Sequence, residues 1–238
     1  MRQDIFYLHR EMRVAISQSN YIPWKGYFDM INQSDVFVLY DDMQYTRRDW
    51  RNRNKIKTPQ GALWLTIPVE VKGKYHQKIN ETRVSDDAWA KKHLKSIELN
   101  YKKAAYFDQW FPQIAEWYDE ASRLEMLSDI NRFFIERICQ TFEITTKLVD
   151  SSEYTIEGTK TDALISILDQ IEDTSSYISG PAAKDYLDHQ PFQERNIEVE
   201  WMDYSKYQEY NQLHPPFEHG VSIFDYILNC GITSALSE

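Results

Sequence analysis

Hydrophobic and polar positions divide the chain into short strands that alternate with helices. Short apolar runs predict five buried strands, at residues 13–17, 36–40, 147–150, 176–179 and 197–202. Helical spacing of apolar residues and helix-start signals predict helices at residues 23–31, 161–171, 181–187 and 222–231. Because strands and helices alternate, the pattern predicts an α/β fold with a mostly parallel sheet flanked by helices.

Two segments interrupt this alternation. Residues 53–57 and 62–71 flank the sequence Thr-Pro-Gln-Gly, whose Pro at the second position and Gly at the fourth predict a type I turn and an inserted β-hairpin. A helical subdomain is then predicted over about 85–141. Its three helices are one capped by residues 85–87 and ending at Lys102-Lys103, one over 106–120 and one over 128–141.

The composition narrows the class of protein. With 42% hydrophobic and 27% charged residues it is that of a globular chain, and we expect residues 12–238 to form one α/β domain. Residues 1–11 are expected to be a disordered N-terminal extension. No uncharged apolar run approaches the roughly 18 residues of a membrane span, so we expect no membrane insertion. Cys139 and Cys230 are too few for a disulfide scaffold, and with no secretory signal they favour a cytoplasmic location.

Charge is distributed unevenly along the chain. The formal net charge is −10, which disfavours nucleic acid as a partner. Residues 47–57 nevertheless carry six basic side chains and one acidic one. A strand here would place Arg51, Arg53 and Lys55 on one face, beside Arg48 and Asn52, where they could bind a phosphorylated small molecule. The alternative is an exposed edge strand whose charges prevent aggregation.

The loop between the first strand and the first helix is a candidate binding site. In open α/β sheets, ligands bind at the carboxyl ends of the strands, near helix amino termini. We therefore take Gln18, Asn20, Trp24, Lys25 and Tyr27 as substrate-binding candidates. The alternative is an ordinary connection with Trp24 and Tyr27 in the core. Residues 24–27 also occupy the place of the HxGH signature of HIGH-type nucleotidylyltransferases, with Trp and Tyr where the two histidines would be.

Paired acids follow the second strand. Asp41 and Asp42 are candidate catalytic residues that could hold Mg²⁺ or act as a general base, although no cofactor is identified. The alternative is a turn that ends the strand, where Asp is common. Adjacent strand residues point to opposite faces, so only one of the two can line a given pocket. His214 and His219 flank a proline-rich loop and predict no metal site.

A second strand-to-helix turn comes at residues 179–184. Ser179 and Gly180 end a predicted strand, and Lys184 lies in the predicted helix that follows. Because Gly allows close backbone approach and Pro suits a helix start, these residues predict a second phosphate-binding turn. A simple tight turn is the alternative.

Blocks distributed over most of the chain resemble the WbqC-like protein family. They are residues 18–29, 35–44, 51–61, 64–69, 93–94, 100–103, 179–187 and 222–231. The chain departs from the family at Ser17, where the family typically has histidine. The resemblance implies a role in bacterial surface-polysaccharide (O-antigen) biosynthesis, and transfer of an acyl or aminoacyl group to a nucleotide-linked amino sugar.

These observations combine into a working hypothesis of a cytoplasmic transferase. Arg51 and Arg53 would hold phosphate, Gln18 and Asn20 would orient the ligand, and Asp41 or Asp42 would serve as base or metal ligand. Two alternatives stay open. One is nucleotidyl transfer in the HIGH-like manner. The other is a non-catalytic binding or scaffold protein of a polysaccharide pathway.

Overall fold

A parallel β-sheet forms the centre of the computed structural model, which describes residues 11–232 and residue 236. Its strands are β1 (Met12–Ser17), β2 (Val36–Leu39), β5 (Lys147–Asp150), β6 (Thr174–Ser179) and β7 (Glu198–Trp201). They lie in the order β5-β2-β1-β6-β7, and every neighbouring pair is parallel. The predicted α/β class is therefore confirmed. The proposed N-terminal extension falls almost entirely outside the described residues.

Helices and a separate hairpin complete the fold. The helices are α1 (Lys25–Asn32), α2 (Trp89–Tyr101), α3 (Phe107–Ala121), α4 (Leu127–Thr141), α5 (Thr161–Leu168), α6 (Gln190–Gln193) and α7 (Ile223–Cys230). The predicted hairpin is confirmed as β3 (Arg53–Thr58) paired antiparallel with β4 (Gly61–Thr66). Gly61 has a φ of 111°, which a residue with a Cβ rarely adopts, so the turn requires glycine there.

Alternating residues of the central strands contribute side chains to two hydrophobic clusters, one on each face of the sheet. Val14 and Ile16 of β1 pack on the face covered by α5 and α6. Ala15, with its register partner Phe37 on β2, packs on the other face, among residues of α1, α2, α3, α4 and α7. Because successive side chains of a strand point to opposite faces, a sheet covered on both sides needs apolar residues at nearly every central position.

Three predicted details differ from the structure. The residue before α2 is Ala88, whose backbone N–H is bonded by Asp86, and the helix ends at Tyr101, so Lys102-Lys103 lie beyond its last turn. The predicted helix at 181–187 is a short 3₁₀ segment, Pro181–Asp185. Helix α6 has no counterpart in the predicted elements, because one helical turn is too short to show a period.

Helix α7 begins and ends as its sequence predicts. The Ser222 hydroxyl accepts a hydrogen bond from the Phe224 backbone N–H, which satisfies one of the unpaired donors at the helix start. Gly231 follows the helix with a φ of 74°. Across the described part of the chain, none of the helices has the length and apolar character that crossing a membrane requires.

Candidate functional site

A cleft of about 640 Å³ opens beyond the carboxyl ends of β1, β2 and β6. From β1 the chain passes through α1 to β2 on one side, whereas from β6 it passes to β7 on the other. The boundary between β1 and β6 is therefore the switch point of the sheet, where loops diverge and leave space for a ligand. Six of the predicted site residues line this cleft: Gln18, Trp24, Tyr27, Arg51, Ser179 and Gly180.

Arg51 provides positive charge in the cleft. Its Nη1 donates to the Gln18 Oε1 at 2.5 Å, and its Nη2 lies 3.6 Å from the Asp49 Oδ1. The Arg51 Nε is buried and has no hydrogen-bond partner among the described residues. A guanidinium binds phosphate or carboxylate through two parallel N–H groups, and the Nε is one donor of Arg51 that no described protein group satisfies.

Trp24 forms a wall of the cleft because Gly26 makes room for it. A Cβ built on Gly26 would lie 2.4 Å from the Trp24 ring, which is closer than any side chain could tolerate. The indole also packs edge-on against Tyr204, with ring centroids 4.8 Å apart. Tyr27 lies on the next turn, where its hydroxyl donates to the Gln18 carbonyl at 2.9 Å. The Trp-Lys-Gly-Tyr sequence thus shapes the cleft by close packing.

Asp41 and Asp42 face different surroundings, and neither lines the cleft. Asp41 is buried, and its Oδ1 accepts from the Ser19 backbone N–H at 2.8 Å. Burial raises the pKa of Asp41, against the opposing effects of the Ser19 hydrogen bonds and of Arg51. Asp42 accepts from the Ser151 hydroxyl at 2.7 Å and pairs with Lys78 at 3.0 Å.

Partial burial acts to raise the pKa of Asp42, but the contacts with Ser151 and Lys78 outweigh it and lower the pKa. Asp41 therefore holds the loop after β1, and Asp42 joins that edge of the sheet to the segment after β5. No three His, Cys, Asp or Glu side chains come together as a candidate metal site in the described part of the chain.

The basic side chains of residues 47–57 lie in two different environments. Strand β3 begins at Arg53, so the prediction that Arg51, Arg53 and Lys55 share one strand face is wrong. The Arg53 guanidinium stacks 4.1 Å from the Trp64 ring and donates to the Arg48 carbonyl. Lys55 pairs with Glu218. Of these three cations, only Arg51 lines the cleft, because the chain turns before β3 begins.

Three further predicted site residues do not line the cleft. Lys25 is buried against the rings of Tyr207 and Tyr226, at 4.6 and 5.7 Å, and burial lowers its pKa. Asn52 is buried and donates through its Nδ2 to the Ile67 carbonyl at 2.8 Å, which joins the start of β3 to the end of β4. Lys184 is exposed, with its Nζ 5.7 Å from the Trp201 ring.

Asn20 lies in a second cavity, of about 360 Å³, beside the loop after β1. Trp24 lines this second cavity as well as the cleft, and it is the residue common to both linings. The predicted loop residues are therefore distributed over two neighbouring spaces and the core.

The cleft also contains residues that the sequence did not indicate. Lys160 and Thr161 reach it from the start of α5, and several tyrosines line it: Tyr40, Tyr177, Tyr186 and Tyr204. Tyr40 directly follows β2, so its position at a strand end was a usable signal. Burial raises the pKa of Tyr177 to about 12. The position of Lys160 depends on how α5 packs on the sheet, which no local pattern shows.

Sequence comparison identifies relatives of this chain. The sequence pattern of the WbqC-like protein family matches residues 18–236. A Mycobacterium tuberculosis (strain ATCC 25618 / H37Rv) protein named "Uncharacterized protein Rv1507c" is 48% identical over 219 residues, covering 92% of this chain and 94% of that protein. No solved structure matches the chain.

Proposed function

The chain belongs to the WbqC-like protein family, and we propose that it is a transferase whose cleft binds a nucleotide-linked amino sugar or a similar phosphorylated small molecule. The observation that carries the proposal is the Arg51 guanidinium, which lines the cleft with its Nε buried and unpaired among the described residues. Phosphate is the natural partner of such a group, because it accepts two hydrogen bonds side by side and neutralises the charge.

Lys160, at the start of α5, supports the same interpretation. It lines the cleft next to Thr161, the first residue of α5. Lysine contributes a point charge without the geometric demands of arginine, which suits a second, more mobile phosphate. Together, Arg51 and Lys160 would provide two cations for a diphosphate in a protein that is otherwise acidic.

Aromatic and hydroxyl groups of the cleft suit the sugar and the nucleobase of such a ligand. Tyr186 and Tyr204 line the cleft with Trp24, and their rings can pack against the face of a sugar or a nucleobase. Ser179 and the Gln18 side chain are close to the same space and can bond hydroxyl groups. A mostly apolar space with a few polar groups is the usual design of a small-molecule site.

The proposed reaction is acyl or aminoacyl transfer to the amine of the bound sugar. The amine nitrogen bonds to the acyl carbon of an activated ester or thioester, and the bond from that carbon to the leaving oxygen or sulfur breaks. The amine proton passes to the leaving atom. Asp41 acts as a positioning residue, since it holds the Ser19 backbone next to Gln18, which lines the cleft. We place this activity in the cytoplasm, in bacterial surface-polysaccharide biosynthesis.

Calorimetric titration with UDP- and dTDP-linked amino sugars tests the proposal. We expect saturable binding that weakens about tenfold or more in Arg51→Gln, since a charge-assisted hydrogen bond contributes roughly 1.5–3 kcal/mol. Arg47→Gln is the matched control, because Arg47 is exposed, donates to the Val71 carbonyl and does not line the cleft. Absence of binding by all these ligands, or unchanged affinity in Arg51→Gln, contradicts the proposal.

A non-catalytic binding protein is the second candidate, and one observation favours it. Within the described residues, no carboxylate or histidine lines the cleft, so no conventional general base faces the ligand. This candidate predicts tight binding of the phosphorylated sugar with no change in its mass after incubation with thioester donors. Nucleotidyl transfer in the HIGH-like manner has less support, because Trp24 and Tyr27 are occupied by packing and by the Gln18 carbonyl.

A further inference from the structure

We propose that the second cavity is a separate binding site for a neutral ring that carries hydroxyl groups, such as a pyranose. The cavity lies between the loop after β1, the turn before β3 and the segment before α7. Its volume of about 360 Å³ is within the range of small-molecule sites, roughly 300–1,000 Å³. Trp24 separates it from the cleft, so a ligand here does not depend on occupancy of the cleft.

Two indole rings provide the apolar surface of the cavity. Trp24 is held by Gly26 and Tyr204, so it forms a fixed wall. Trp50 is 38% exposed, which is unusual for so large an apolar side chain. A half-exposed tryptophan beside a preformed cavity is typical of a ligand-contacting surface, because its flat face can pack against the C–H face of a ring.

Two polar atoms of the cavity residues lack partners. The Asn20 Oδ1 and the His219 Nδ1 are buried, and neither has a hydrogen-bond partner among the described residues. Asn54 of the same cavity differs, because its Nδ2 donates to the Tyr21 carbonyl and its Oδ1 accepts from a backbone N–H. Buried polar atoms are rarely left unpaired in folded proteins, so Asn20 and His219 indicate a missing partner.

The chemistry of these atoms favours hydroxyl groups. A hydroxyl donates to the Asn20 carbonyl oxygen, and because it both donates and accepts, it suits the His219 Nδ1 in either tautomer. A nucleobase carries its donors and acceptors in a fixed order along one edge. The Asn20 Oδ1 and the His219 Nδ1 match such an edge less well than they match separate hydroxyl groups. A ring with several hydroxyl groups therefore fits better than a nucleobase.

The charge around the cavity favours a neutral ligand. Among the described residues that line it, none is Asp, Glu, Lys or Arg. Lys55 is not among the lining residues; its Nζ lies 5.9 Å from the Trp50 ring and is paired with Glu218. Burial and the nearby charge of Lys25 lower the pKa of His219, so this ring is also neutral at pH 7. An ionic ligand would therefore find no counter-charge among the described residues that line the cavity.

Saturation-transfer NMR with methyl β-D-glucopyranoside and methyl 2-acetamido-2-deoxy-β-D-glucopyranoside tests the proposal. We expect saturable binding to the wild type, weakened about tenfold or more in Trp50→Ala, since loss of a central aromatic contact is typically that costly. Asn20→Ala should weaken binding in the same direction. Tyr75→Ala is the control for loss of an exposed aromatic ring: Tyr75 is 72% exposed and does not line the cavity, so affinity should stay within about twofold.

Three results would overturn the proposal. One is no saturable binding of either glycoside, and another is unchanged affinity in Trp50→Ala. The third is binding of adenosine or uridine, lost in Trp50→Ala, with no binding of the glycosides, which would identify a nucleobase site instead. Glycoside binding in a protein that binds none of the nucleotide-linked sugars would contradict only the function proposed for the cleft.

Discussion

The Tyr21 hydroxyl and the His93 Nδ1 lie 2.9 Å apart in the core between the loop after β1 and helix α2. On its other side, the His93 Nε2 lies 3.1 Å from the Thr66 carbonyl, which can only accept. The Nε2 therefore carries the proton, the Nδ1 accepts from Tyr21, and the Tyr118 hydroxyl, 2.7 Å from that of Tyr21, must be the donor between the two. These hydrogen bonds link the loop after β1 to helices α2 and α3.

Acid should weaken the fold through His93. Burial lowers the pKa of this histidine to about 4, from an ordinary value of 6.5. Between these values the unfolded chain binds the proton and the folded chain does not, so stability falls as the pH falls from about 6.5 to about 4. The full loss is on the order of 3 kcal/mol. Urea unfolding at several pH values should show this loss in the wild type and a shallower loss in His93→Gln.

His76→Gln is the control for that series, because His76 is exposed and should keep the wild-type slope. An identical pH dependence of unfolding in the wild type and His93→Gln would contradict the assignment.

Removal of the two tyrosine hydroxyls should have unequal effects. Tyr118→Phe removes one donor and leaves Tyr21 bonded to His93, so we expect a loss of about 1 kcal/mol. Tyr21→Phe leaves both the Tyr118 hydroxyl and the His93 Nδ1 buried without that partner, so we expect a loss roughly twice as large or more. The urea unfolding midpoints of the two variants measure these losses. Equal losses would show that the proposed donor-to-acceptor order from Tyr118 through Tyr21 to His93 is wrong.

Substitution of Gly26 should disturb both cavities at once. A Cβ at this position collides with the Trp24 ring, so Gly26→Ala should displace this ring. Trp24 lines both the cleft and the second cavity. We expect a loss of about 1–3 kcal/mol in unfolding free energy, as for other overpacked sites. We also expect weaker binding of both nucleotide sugars and glycosides. In Gly180→Ala the Cβ meets nothing within 4 Å, so stability should be near that of the wild type.

Variants of Asp41 separate a positioning role from proton transfer. Asp41→Asn keeps an oxygen that can accept from the Ser19 backbone N–H, whereas Asp41→Ala does not. We expect Asp41→Asn to bind the cleft ligand within about threefold of wild type and Asp41→Ala to weaken it about tenfold or more. If Asp41→Asn abolishes transfer while the affinity is kept, Asp41 is the base and the positioning role is wrong.

Local pattern was enough to predict most of the secondary structure. The strands at the centre of the sheet are apolar at successive positions, and α1 and α7 repeat apolar residues at helical spacing, so each element has its own signal. The pattern also placed Gln18 and Ser179 at the ends of predicted strands, whereas the strand order that puts them at the switch point is known only from the structure. Helix α6 was missed because a single turn has no period.

The sequence by itself therefore determined the alternation of elements, the α/β class and the edge of the sheet where polar residues would gather. Only the tertiary structure decided which of those residues face the same space. It separates Arg51 from Arg53 and Lys55, buries Lys25, and adds Lys160 from more than a hundred residues away along the chain. The reason is physical: periodicity reports which side of an element is buried, whereas the direction of a loop side chain depends on distant elements that pack against it.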